Sequence, residues 1–143
     1  LSNLQENTMP AEVCLYFNKD VQSGLEAGRS RCIVCKFVLL ANRSNLFLLI
    51  GPVSDYPYHA HLVNRFCRER EIPSGWVAGN SRVEIFDTHH KIRGGGWMKI
   101  EQSEKRLEIY GHSTAYGRFS EEDLDSILKS DAFLREFPTI VIR

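Results

Sequence analysis

Leu107-Glu108-Ile109-Tyr110-Gly111-His112-Ser113-Thr114-Ala115-Tyr116-Gly117 is the stretch whose reading decides the fold. Its first half alternates. Leu107, Ile109 and Gly111 point one way and Glu108, Tyr110 and His112 the other, the two-residue period of a strand. The second half cannot easily continue that strand, because Ser113, Thr114 and Ala115 are small and Gly117 permits a turn that a side chain would block. Just beyond, Ser120-Glu121-Glu122-Asp123 has the composition of a helix start. A strand that opens into a tight bend of small residues can aim several backbone N–H groups at one point, which is one way to hold a phosphate without a metal.

Upstream, Trp97-Met98-Lys99-Ile100 is expected to pair with 107–111 as a hairpin across 101–106, with Gly94-Gly95-Gly96 as a flexible turn or bulge before it. Residues 31–40 are nearly continuously apolar apart from Lys36, as in a central strand covered on both faces. Leu46-Phe47-Leu48-Leu49-Ile50 reads as its hairpin partner, after a turn at 42–45. Residues 12–17 form a short edge strand, and 18–30, polar with two glycines, a loop. A first helix is expected from about Ser54 to Glu71, capped by Ser54 or Asp55, with Pro57 in its first turn. Leu62, Val63 and Phe66 share its apolar face, with His59 on the same side, while Arg65, Arg68, Glu69 and Arg70 form a solvated face. Pro73-Ser74-Gly75 breaks that helix. Residues 82–86 alternate as a strand after a turn at Gly79-Asn80. Leu124, Ile127 and Leu128 form the buried stripe of the second helix; Phe133, Leu134 and Phe137 continue the packing; 139–142 is the last strand. The sum is an α/β (α+β) fold: a mixed sheet of about six strands with two main helices packed against it.

At 143 residues and 43% hydrophobic, the chain is expected to form one domain over 12–143, after a loose N-terminal leader at 1–11. Eighteen basic residues balance eighteen acidic ones. That argues against a nucleic-acid surface or a broad membrane surface, and no run is long enough to span a bilayer. The start has no apolar signal core. It also has no initiator Met, which leaves a lost targeting segment open. Four cysteines are present, and Cys32-Ile33-Val34-Cys35 invites a zinc or redox reading. Zinc would need two more ligands at suitable spacing, and the pair lies inside a β-branched run, so buried structural thiols are expected. Free thiols point to a reducing compartment, the cytoplasm, with a mitochondrial location left open. His89 and His90, adjacent in a strand-like segment, would face opposite ways and not grip one metal jointly.

Tyr110-Gly111-His112-Ser113-Thr114-Ala115-Tyr116-Gly117 resembles the Y-G-x-S-x-A-Y-G signature of the Janus/Ocnus family, whose members include the small phosphohistidine phosphatases. Three further pieces match in order: Gly94-Gly95-Gly96, Tyr58-His59-Ala60, and the strand Cys35-Lys36-Phe37-Val38-Leu39-Leu40. The resemblance spans about residues 34–117. It implies a metal-independent protein phosphohistidine phosphatase, with no cofactor, a phosphohistidine-containing protein as substrate, and a monomer. It implies His59 as the catalytic residue, either activating a water or attacking phosphorus directly. The N–H groups of Ala60, Ser113 and Ala115 would hold phosphoryl oxygens, with the Ser113 hydroxyl assisting. Lys36 would supply positive charge, or else simply snorkel at the sheet end. A helix N-terminus beside His59 would favour a phosphate and keep the ring neutral.

The sequence departs from the family pattern at two positions where active phosphatases carry arginine: Gly51 in the strand before the helix, and Trp97 after the triple glycine. Arg93, Arg118 or Arg43 are candidates to substitute in space. The departures, and the longer segment at 72–91, frame the alternative: a catalytically weak relative that binds a phosphorylated ligand or serves as a module of a larger assembly.

Overall fold

A computed structural model describes residues 9–28 and 32–143. Of the leader expected at 1–11, residues 1–8 lie outside the described residues, as do 29–31 between the expected loop and central strand; Ala11 already belongs to a strand.

The elements run β1 Ala11–Leu15, α1 Lys19–Glu26, β2 Cys32–Ala41, β3 Leu46–Pro52, α2 His59–Glu69, β4 Ser74–Val77, β5 Arg82–Ile85, β6 Lys91–Glu101, β7 Arg106–Tyr110, α3 Glu121–Ser130, a 3-10 turn Leu134–Glu136, and β8 Thr139–Ile142. Six strands form one mixed sheet in the order β1-β3-β2-β6-β7-β8, while β4 and β5 pair separately as a hairpin. The four inner strands are antiparallel, and each edge strand is parallel to its neighbour. The expected α+β fold, with a mixed six-stranded sheet, is what the chain adopts.

The apolar run of 31–40 becomes β2 at the centre of the sheet, and all seven residues of its partner β3 are buried. Side chains alternate to two cores. Phe37, Leu39, Leu48, Ile50, Met98 and Ile109 face α1, α3 and the 3-10 turn. Val38, Leu40, Phe47 and Leu49 face α2, where they meet Leu62, Val63 and Phe66. The buried stripe of α3 is Leu124, Ile127 and Leu128, as its spacing predicts, and Ser120 caps it by accepting from the Asp123 N–H.

Four readings need correction. Residues 19–26 are helical rather than loop: the Asn18 side chain accepts from the Val21 N–H, and Val21, Gly24 and Leu25 are buried. One glycine of that segment therefore packs within the helix, and the other, Gly28, takes φ +65° just past its end. The next helix starts at His59, not near Ser54. Tyr58 is its extended N-cap, at φ −127° and ψ 146° with no side-chain bond, and the Asp55 and Tyr56 N–H groups turn back onto the Pro52 carbonyl. The triple glycine lies inside the eleven-residue strand β6, where the register against β2 slips between Val38 and Leu40. It is the bulge of the two options, set within a strand. Finally, Cys35 and Cys67 are buried, but Cys32 is exposed and Cys14 half-buried; all four are free.

Candidate functional site

Register places four residues in one row across the inner strands. Lys36 pairs with Gly51 on one side and Trp97 on the other, and Trp97 pairs with Tyr110. The row lies on the α2 face of the sheet, with Gly51 against Leu62 of that helix. Its aromatic pair is stacked, with centroids 6.3 Å apart and planes 16° from parallel. The Lys36 ammonium stands over the indole at 4.9 Å and near the Tyr58 ring at 5.6 Å, and it donates to the Pro57 carbonyl. Burial lowers the pKa of this lysine. Position 51 has no space for a larger residue: a Cβ there would come within 2.5 Å of Tyr56 Cδ2 and 2.9 Å of Leu62 Cδ2.

His59 opens α2 and packs against the neighbouring row. A Cβ on Gly95 would sit 3.1 Å from His59 Cδ2, 3.4 Å from Ser113 Cβ and 2.5 Å from the Phe37 carbonyl oxygen. The missing side chain is what lets the histidine and the serine rest on the sheet. His59 Nε2 lies 2.9 Å from the Gly96 carbonyl oxygen. A carbonyl can only accept, so the proton is on Nε2 and Nδ1 is left as an acceptor. Burial holds the ring below the usual histidine pKa, and the Lys36 and His112 charges push the same way, against the opposing Gly96 hydrogen bond. The ring is neutral at neutral pH.

The bend at 113–117 is closed on itself. The Gly117 N–H donates to the Ser113 carbonyl at 2.8 Å, and the Ser113 N–H returns to the Gly117 carbonyl at 3.1 Å. The same Gly117 oxygen also accepts from the Gly95 N–H at 3.0 Å, sewing the bend to β6. Ser113 Oγ accepts from the Tyr116 N–H at 3.0 Å. The Tyr116 hydroxyl in turn accepts from the Val83 N–H at 2.9 Å and donates to the Val83 carbonyl at 2.8 Å, clasping the β4–β5 hairpin. Burial raises the pKa of that phenol to about 12, so it keeps the proton it donates.

These pieces enclose one cavity of about 690 Å³. Lys36, Tyr58, His59 and Ala60 line one side, Trp97 and residues 112–115 another, and residues 78–82 of the hairpin a third. The wall carries two cations, Lys36 and Arg82, and no carboxylate. The structure thus brings His59, Lys36, Ala60, Ser113 and Ala115 together, from three separate stretches of chain. Within that set, the Ser113 amide is already bonded to Gly117. The amides of Ala60, Thr114 and Ala115 have no partner among the described residues. Donors free to meet an anion are therefore those three, with the Ser113 hydroxyl.

Several expectations shift. Arg93 pairs with Asp123 and Arg118 holds the Gly111 and Arg143 carbonyls; neither they nor Arg43 line the cavity. Sequence reasoning missed Arg82, the Thr114 amide and Tyr58, a residue 66% exposed that also lines the cavity. The signal was there for Arg82, in the extra segment with its Gly79-Asn80 turn. His112 is exposed and also lines the cavity. His89 and His90 sit in a bend whose N–H groups both reach Asp87, not in a strand. Among the described residues, no three His, Cys, Asp or Glu side chains gather as a metal site, and no helix is long and apolar enough to cross a membrane.

A sequence model described as Janus/Ocnus family (Ocnus) matches residues 20–138. No curated protein matches the chain.

Proposed function

The chain belongs to the Janus/Ocnus family, and from the cavity built around His59 we propose that it is a metal-independent phosphohistidine phosphatase. The reading rests above all on one observation: a neutral histidine at a helix start shares an anion-suited cavity with a lysine and unpaired amides. A phosphoramidate carries its negative charge on three oxygens, and the amides of Ala60, Thr114 and Ala115 are donors suited to them. Lys36 adds positive charge from the floor, and its contact with the Pro57 carbonyl holds it in place.

In hydrolysis, the P–O bond to water forms as the P–N bond breaks. The proton that water gives up goes to His59 Nδ1, and the departing imidazole nitrogen takes one back. Attack by Nδ1 on phosphorus, followed by hydrolysis of the phosphoenzyme, uses the same atoms. Phospholysine presents the same bond and falls within the reading.

A second reading has a specific observation behind it. Trp97 puts an indole on the floor and position 51 has no room for a cation. Fewer bidentate partners for the transition state favour a weak enzyme that chiefly binds a phosphorylated ligand. The test is hydrolysis of a phosphohistidine peptide by the wild type and His59→Ala with chelator present. The phosphatase reading requires wild-type turnover that the variant lacks. Equal rates would end it, and peptide binding without turnover would establish the second.

A further inference from the structure

The second cation of the cavity has no task in the reading above. Arg82 begins β5 and shares an exposed ion pair with Glu84, Nη2 to Oε1 at 2.8 Å. Its Nε is different: it is buried and has no acceptor among the described residues. A buried N–H donor without a partner is costly, and a native structure that keeps one invites an explanation in terms of what it binds. Apart from Glu84, the residues that line the cavity with it offer no carboxylate.

Lys36 cannot answer for the whole charge of an anion here. Its ammonium gives one of its donors to the Pro57 carbonyl and is partly covered by the Trp97 and Tyr58 faces, and a single positive charge does not balance a phosphoryl dianion. Arg82 is held from behind. Val83, the next residue, is fully buried, and both its backbone groups are gripped by the Tyr116 hydroxyl. Tyr116 also donates its own N–H to Ser113 Oγ. The hairpin and the bend that offers its amides are thus tied through one tyrosine, so the guanidinium and the amides keep a set relation.

We propose that Arg82, which lines this cavity, pairs through its guanidinium with the phosphoryl group there, and that the β4–β5 hairpin is the element that delivers it. The proposal rests on the reading of the cavity as a phosphoryl site. Guanidinium suits the task because it stays charged when partly buried and presents donors in a fixed plane. Tyr116 is a positioning residue that acts through Val83.

The full chain, as wild type, Arg82→Gln, Arg82→Lys and Glu84→Gln, is titrated with inorganic phosphate by NMR and then assayed with a phosphohistidine peptide. Loss of a charge-assisted hydrogen bond predicts that Arg82→Gln weakens phosphate binding and raises KM by about tenfold, with kcat little changed. Arg82→Lys recovers part of that loss, and Glu84→Gln binds phosphate as well as the wild type or better. If Arg82→Gln matches the wild type in phosphate affinity and KM, Arg82 is not the contact, even where the wild type hydrolyses the peptide. If Glu84→Gln loses as much as Arg82→Gln, the pair is structural and the proposal falls. Wild type that binds phosphate through Arg82 but turns nothing over would keep the contact and end the phosphatase reading. Wild type that does neither ends both.

Discussion

The two faces of the main sheet are finished differently. Under α1 and α3, the face that carries Phe37, Leu48, Met98 and Ile109 is closed by apolar side chains down to Leu134 and Phe137. The other face is closed only as far as α2 reaches. Past His59, Lys36 and Trp97 of that face lie under a cavity instead of a helix. One side of the sheet is closed by the core, and part of the other is left open to the cavity. The contrast can be tested by damaging each side in turn.

The largest effect is expected on the closed side. Leu124→Ala in α3 removes a fully buried side chain and should lower the unfolding free energy by about 2–5 kcal/mol in urea denaturation, while turnover per folded molecule stays close to wild type. The converse is His59→Ala, for which a loss of about a hundredfold or more in kcat is expected. Its urea midpoint should move far less than that of Leu124→Ala. Equal loss of stability in the two would dissolve the contrast.

Gly95→Ala probes the seam between the sides. Its methyl group would press on the Phe37 carbonyl, His59 and Ser113 together. A destabilisation of about 1–3 kcal/mol is expected from overpacking, accompanied by loss of turnover as the ring is pushed off the strand. The smallest effect is one of pH. A base must be neutral to act, so the rate falls with acid as His59 protonates. Because its folded pKa is depressed, that limb lies below about 6.5. The same depression means that stability present above about pH 6.5 is lost as the pH falls below it. Lys36→Met removes a neighbouring positive charge and should move the limb upward in a rate–pH profile.

Much of the closed side was legible in the sequence, and less of the open one. The alternation of 107–111, the apolar runs of β2 and β3 and the Leu124, Ile127, Leu128 stripe are periodic, and periodicity survives without coordinates. Helix α1 escaped because it is eight residues long with a glycine inside it; burial of Val21 and Leu25 sustains it, not propensity. The start of α2 was set too early because composition cannot show that the chain arrives extended at Tyr58. At the site, the resemblance named residues that do converge on one cavity. It could not show that the Ser113 amide turns inward to Gly117, since that depends on the path of the bend. Nor could it place Arg82, which reaches the wall only because a tyrosine thirty-odd positions later grips its neighbour.

The parallel pairing at both sheet edges bears on how the molecule comes to be assembled. Strands β2 with β3 and β6 with β7 can each zip up through a short turn soon after they are made. Strands β1 and β8 cannot, because each must wait for a crossover to carry the chain back alongside its neighbour. Strand β7, which runs straight into the glycine- and serine-bearing bend, therefore keeps a bare outer border until synthesis has passed Ile142.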